Sequence, residues 1–271
     1  CSSPVTRNVL SLLYLVHPCL NLQSMIENWL SQSKLEVECD GDAFKIEEVD
    51  RPNGLIEFLG GSYLSANVNP SSIERQIHRL RKSSRELGLD EIRRLIERRI
   101  SEEELPNKNK AATRSGLFGE FLSEEVMIKL NGYDRFIHKL RHRESSNWAP
   151  RLVDICIFKH RFSPVLCMIE VKTNSSKKRN SILSEGFSSL LKALQRKNEA
   201  LNYIARILEL REDYDDADFV RDLATFEEYE QENEICIVVD PNFWDPQAFK
   251  ELPSYTDQDE FDNLSVRLLL V

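Results

Sequence analysis

Chain breakers are scarce in the 271-residue sequence, which has 9 glycines and 10 prolines, and aromatic residues make up only 8% of it. That scarcity excludes a collagen-like or low-complexity chain. A hydrophobic share of 41% excludes a disordered one. No apolar run approaches the roughly 20 residues that a helix needs to span a bilayer. The six cysteines, Cys1, Cys19, Cys39, Cys156, Cys167 and Cys236, are dispersed, with no CxxC pair and no Cys/His group at zinc spacing. Cys156, Cys167 and Cys236 stand in apolar runs, where cysteine serves as a small buried hydrophobe. This usage fits a reducing compartment and predicts a cytoplasmic protein. No glycine-rich phosphate loop occurs, so ATP hydrolysis would have to come from another chain. Residues 1–24 contain no acidic residue and no methionine. They are expected to be an extension, with the functional protein opening at Met25.

An excess of positive charge is also missing, since the formal net charge is -9. Phosphate binding needs Lys and Arg, so this balance argues at first against a nucleic-acid partner. The charge is unevenly spread, however. Residues 1–140 carry a net of -2, residues 141–200 a net of +7, and residues 201–271 a net of -14. A basic centre and an acidic tail leave nucleic-acid binding open, beside the plainer reading of solvated surface.

Periodicity divides the chain into an N-terminal α+β section, residues 25–105, and a second domain, residues 115–271. In the first, Met25–Ser33 reads as a short amphipathic helix, and Lys34–Glu38 and Phe44–Val49 as strands around the Asp40-Gly41-Asp42 turn. Gly54–Ser65 reads as a further strand with a Gly60-Gly61 turn, and Ser71 to Ile100 as two helices broken near Gly88. The polar stretch Glu102–Thr113, with Pro106, reads as the linker. Ser115–Leu130 is a clear helix with a stripe of Leu117, Phe118, Phe121, Leu122, Val126 and Leu130, stopped by Asn131-Gly132. Strand patterns follow at Arg135–Arg141, Leu152–Phe158 and Val165–Val171, then a long helical pattern over Ile182–Leu210 and strands at Glu234–Val239 and Ser265–Val271. The order predicts an α+β fold with a central mixed sheet flanked by helices.

The sharpest chemical signal is Ile169-Glu170-Val171-Lys172 at the end of a strand. Alternation along a strand puts Glu170 and Lys172 on one face and Val171 on the other. Sixteen positions upstream, Asp154 lies in the preceding strand pattern, and antiparallel pairing through Lys159–Pro164 can bring it beside Glu170. Two carboxylates and an amine on one face suit phosphodiester hydrolysis. The carboxylates can hold a hard divalent cation, Mg2+ or alternatively Mn2+, and Lys172 can orient a water or help deprotonate it. Glu120, next to Gly119 on the preceding helix, is a candidate fourth group, because a glycine lets helix and sheet approach closely. Taken alone, an acid-x-Lys triplet is common by chance and is usually a surface pair. His138, His142 and His160 are spread over strands and turns and suggest no rival mechanism.

With Glu120 on the leading helix and a long helix after the strand, Asp154 … Glu170-x-Lys172 resembles the PD-(D/E)xK nuclease superfamily, although Val153-Asp154 stands where that family often has Pro-Asp. Gly119-Glu120-Phe121-Leu122, Lys139-Leu140-Arg141 and Arg143-Glu144-Ser145-Ser146 bring the chain nearer still to HamA-like proteins, the nuclease subunits of Hachiman antiphage systems. The glycine often found before that family's Asp is absent here. The resemblance implies a restriction-endonuclease-like core over roughly Gly116 to Leu210. It also implies a metal-dependent DNase restrained by a HamB-like helicase partner. Asp154 and Glu170 would ligate Mg2+, Lys172 would position the water, and Glu120 would support the metal.

Lys177, Lys178 and Arg179 follow the triplet directly, and Lys192 and Arg196 lie on the helix beyond. These are the candidate phosphate contacts, positioning DNA without reading its sequence. The acidic stretches Asp213–Asp218 and Glu227–Glu234 suit solubility or a basic partner. Two further functions stay open at this point. One is a stand-alone restriction-type endonuclease, for which no DNA-reading module is recognisable. The other is a catalytically inactive DNA-binding or scaffold subunit on a nuclease fold.

Overall fold

The structure is a computed structural model that describes residues 22–35, 42–53, 55–67, 78, 91, 94, 111–137, 139, 153–174, 181–244 and 263–271. The chain divides into two compact units, one of Cys1–Met25, Pro52–Arg114 and His138–Pro150, the other of Ile26–Arg51, Ser115–Ile137 and Arg151–Val271. Helix α1, Leu22–Trp29, begins and ends earlier than its sequence pattern, because strand β1, Leu30–Leu35, takes over at Leu30. Strand β2, Asp42–Glu48, pairs with it antiparallel, while the turn between them lies outside the described residues.

In the first unit, Leu55–Asn67 forms helix α2 and not the expected strand and turn. Leu55, Leu59 and Ala66 are buried at helical spacing, and Gly60 and Gly61 run on inside the helix. Each interior glycine costs about 1 kcal/mol relative to alanine, which the burial of that face offsets. The helical pattern expected over 71–100 lies outside the described residues except at 78, 91 and 94.

The second unit is built on a sheet. Helix α3, Ala111–Asn131, is followed by β3, Asp134–Arg135, β4, Ile155–Lys159, and β5, Val165–Asn174. Helices α4, Ile182–Leu194, α5, Lys197–Leu210, and α6, Tyr214–Phe226, lead to β6, Glu230–Val239, and β7, Leu264–Leu270. Among the described residues the seven strands form one mixed sheet in the order β1-β2-β7-β6-β5-β4-β3. The four central strands β2, β7, β6 and β5 are mutually parallel, and the outer pairs are antiparallel. This is the α+β fold that the element order predicts. Strands β1 and β2, from the N-terminal section of the sequence, belong to the same sheet as the strands of the second domain.

Helix α3 stops where its sequence says it should. Gly132 takes φ +70°, the left-handed conformation that ends a helix, and Tyr133 N–H donates to the Met127 carbonyl of the last turns at 3.4 Å. The single helix expected over Ile182–Leu210 is two helices, α4 and α5, broken at Gln195 and Arg196. The break lets the two apolar faces cover different parts of the sheet. Ile182, Leu183, Phe187 and Leu190 of α4 pack on Ile235, Ile237, Val266 and Leu268. Leu201, Ile204, Ala205 and Leu208 of α5 pack with α6 on Leu166, Phe136 and Ile137. Fully burying one such aliphatic side chain contributes about 1.5–3 kcal/mol. The strand expected over Arg135–Arg141 is present only at its start, and residues 138 and 140–141 lie outside the described residues.

Candidate active site

Strand β5 carries the site because it lies inside the sheet, between β4 and β6. Its residues alternate. Leu166 and Met168 face the core formed with α5, and Glu170 and Lys172 continue on that side. Val171 and Thr173 face α3. A Cβ added to Gly119 would stand 2.0 Å from Thr173 Cγ2 and 3.6 Å from Val171 Cγ1, so only glycine allows this helix to lie so close to the strand.

The β4–β5 hairpin sets the position of Asp154. Ile155 pairs with Ile169 and Cys156 with Met168, so one further step places Asp154 opposite Glu170. Asp154 Oδ2 accepts the Val171 N–H at 2.9 Å, which anchors the carboxylate against β5. The antiparallel pairing expected through Lys159–Pro164 is therefore formed, and His160 turns the chain there at φ 54°.

Glu170 is 7% exposed, and a carboxylate so far from water needs a partner. Lys172 supplies one: its Nζ donates to Glu170 Oε1 at 2.6 Å, and also to Ser189 Oγ on α4 at 3.1 Å. Ile235 and Ile237 are the register partners of Glu170 and Lys172 on β6, and both are fully buried, so one flank of the site is apolar. Asn174, two residues further on the same side of β5, is also buried. Sequence reasoning missed Ser189, because a serine inside an amphipathic helix carries no signal of its own.

The remaining candidates are distributed differently. Glu120 is half-buried on α3, the helix that crosses the Val171/Thr173 face, opposite Glu170 and Lys172. Among the described residues no group of three or more His, Cys, Asp or Glu is arranged to hold a metal ion. Glu120 thus makes no three-carboxylate cluster with Asp154 and Glu170. Lys177, Lys178 and Arg179 lie outside the described residues. Lys192 is exposed on α4, and Arg196, exposed at the α4–α5 break, pairs with Glu199 at 2.7 Å.

The donor set still fits a hard cation. Mg2+ is commonly held by one or two carboxylates and keeps several waters or substrate oxygens, which is what Asp154 and Glu170 can offer. Thiol chemistry is disfavoured, since burial raises the Cys236 thiol to about 12 and Cys167 well above its ordinary value.

The HamA family profile matches residues 23–240, a span that takes in Glu120, Asp154, Glu170, Lys172 and Ser189. The chain belongs to the HamA family. It is therefore a protein of the Hachiman type of antiphage defence. No curated protein matches it. The HamA match also spans β1, β2 and the whole of β3–β6, so six of the seven strands lie within the family region. No described helix is long and apolar enough to cross a membrane.

Proposed function

We propose that this HamA protein is a metal-dependent deoxyribonuclease of the PD-(D/E)xK type, the cytoplasmic effector of a defence complex that includes a helicase. The observation that carries the reading is the pairing of β4 with β5, which puts Asp154 opposite Glu170 with Lys172 on the same side. Asp154 and Glu170 would hold Mg2+, or Mn2+ in its place, and two carboxylates suffice without Glu120 as a direct ligand. The bound cation would supply Lewis acidity toward the phosphoryl group. The Val171 N–H holds one oxygen of Asp154 and so fixes the carboxylate beside Glu170. Lys172 presents an ammonium beside the carboxylates, where it can hydrogen-bond the attacking water or a phosphate oxygen. Lys192 and Arg196 lie on the α4 side of the sheet and would contact the DNA backbone, with Lys177, Lys178 and Arg179 of the segment after β5.

The test incubates the purified chain, with and without its helicase, with plasmid DNA and Mg2+. Cleavage that disappears in Glu170→Ala and Lys172→Ala supports the reading. Cleavage that survives either substitution overturns the mechanism. A fixed cut sequence produced by the isolated chain would mark a restriction-type enzyme, and no cleavage under any condition would mark a scaffold.

A further inference from the structure

Ser189 on α4 accepts a hydrogen bond from the Lys172 ammonium at 3.1 Å, a side-chain contact that reaches Lys172 from outside β5. A serine within a helix commonly turns its hydroxyl back to the carbonyl one turn earlier. Here the hydroxyl faces the sheet instead. Gly186, three residues before, explains how. A Cβ there would stand 2.8 Å from Ile235 Cγ2, so the glycine lets α4 settle against β6, and residue 189 follows on the same helix face. Ser189 is half-buried, and Leu190 beside it is fully buried, so α4 holds this residue in a packed setting.

An ammonium has three N–H donors on a flexible four-carbon stem, and ordering that stem carries a large entropy loss. Glu170 Oε1 takes one donor at 2.6 Å and Ser189 Oγ a second. Two acceptors from two different elements, β5 and α4, fix the rotation of the group, and the third N–H then has one direction. We infer that Ser189 is a positioning residue: it aims the Lys172 ammonium at the water or phosphate oxygen of the reaction. This role rests on the nuclease reading for its consequence in turnover, but the hold of Ser189 on Lys172 does not.

The full-length chain with its helicase, plasmid DNA and Mg2+ provides one arm of the test. Ser189→Ala should lower kcat about tenfold or more with KM within about twofold, since a hydrogen bond to a charged group is lost from the reacting geometry and not from DNA binding. Ser189→Thr keeps a hydroxyl and should restore most of kcat. The second arm needs no activity. Carbon relaxation of the Lys172 Cε methylene should report a lower order parameter in Ser189→Ala and a recovered one in Ser189→Thr, with unchanged far-UV circular dichroism in both. If turnover and Lys172 order both ignore Ser189, the inference is overturned. If Lys172 order responds and turnover does not, Ser189 holds the lysine without aiding the reaction, and its positioning role is overturned. If the order responds and even the wild-type complex never cuts DNA, the nuclease reading fails while the hold of Ser189 on Lys172 stands.

Discussion

Asp154 Oδ2 accepts the backbone N–H of Val171, the residue between Glu170 and Lys172, at 2.9 Å. One hydrogen bond thus joins the start of β4 to the centre of the Glu170-x-Lys172 triplet, and the carboxylate serves both register and site. The two duties separate by substitution. Asp154→Asn retains an oxygen acceptor for the Val171 N–H and loses the charge. Its urea midpoint should stay near that of the wild type, while plasmid cleavage and Mg2+ binding by calorimetry fall away. Asp154→Ala should lose both, and leaving a half-buried donor without its partner costs about 1–3 kcal/mol.

The contact of α3 with β5 makes a second prediction. Gly119→Ala places a methyl group 2.0 Å from Thr173 Cγ2, a distance that a shift of the helix or a rotation of the Thr173 side chain must relieve. Overpacking of this kind costs about 1–3 kcal/mol, read from urea unfolding. Thr173→Ser removes the opposing methyl group. The double variant Gly119→Ala/Thr173→Ser should therefore recover much of the loss, and strict additivity of the two changes would rule out direct contact as the cause.

How far the sequence foretells this arrangement depends on how local each feature is. The β4–β5 hairpin is legible because a short connection fixes the register, and strand alternation then places Asp154, Glu170 and Lys172. The end of α3 is legible because Asn131-Gly132 encodes a left-handed cap. Helix α2 is not, since Gly60 and Gly61 imitate a turn while the burial of Leu55 and Leu59 decides the matter. Helix α6 is hidden by its acids, Asp215, Asp216, Asp218 and Asp222, although Ala217, Val220 and Leu223 keep a buried stripe at three-residue spacing. Strand β1 hides for a different reason. Its Ser31–Lys34 stretch is exposed, and its pairing with β2 follows the sheet and not its own hydrophobicity.

The least legible feature joins residues 33 positions apart. Arg267 on β7 donates to both carboxylate oxygens of Glu234 on β6, at 2.7 and 2.9 Å, and both side chains are 4% exposed. Gln32 of β1 accepts a third hydrogen bond from the guanidinium, which also lies 4.7 Å from the Phe44 ring centroid. Removing one charge strands the other in the core. Glu234→Gln should therefore cost about 3–5 kcal/mol in urea unfolding. Replacing both residues with apolar side chains of similar volume should cost clearly less, because neither charge is then left behind. A double variant as unstable as the single one would show that the guanidinium contacts with Gln32 and Phe44 matter more than the ion pair.

Glu48 offers a pH-dependent test of the β1–β2 end of the sheet. It accepts from Arg51 Nε at 2.6 Å and Nη2 at 2.9 Å, and from Trp29 Nε1 at 2.8 Å. These hydrogen bonds, Arg51's first, favour the ionised form and hold the carboxyl below its usual range. A carboxyl lowered in the folded state contributes stability above its unfolded pKa, and that contribution disappears as pH falls through the folded value. Wild-type protein should therefore exceed Glu48→Gln in urea midpoint at pH 6.5, and the difference should close in acid below the ordinary carboxylate range. Trp29 gives a direct readout, because its indole N–H loses a charged acceptor when Glu48 protonates. In a background where Trp148 and Trp244 are replaced by Phe, the Trp29 emission should titrate in that acid range in the wild type and not in Glu48→Gln. A midpoint difference that persists unchanged into acid would assign the effect to the shape of the side chain and not to its charge.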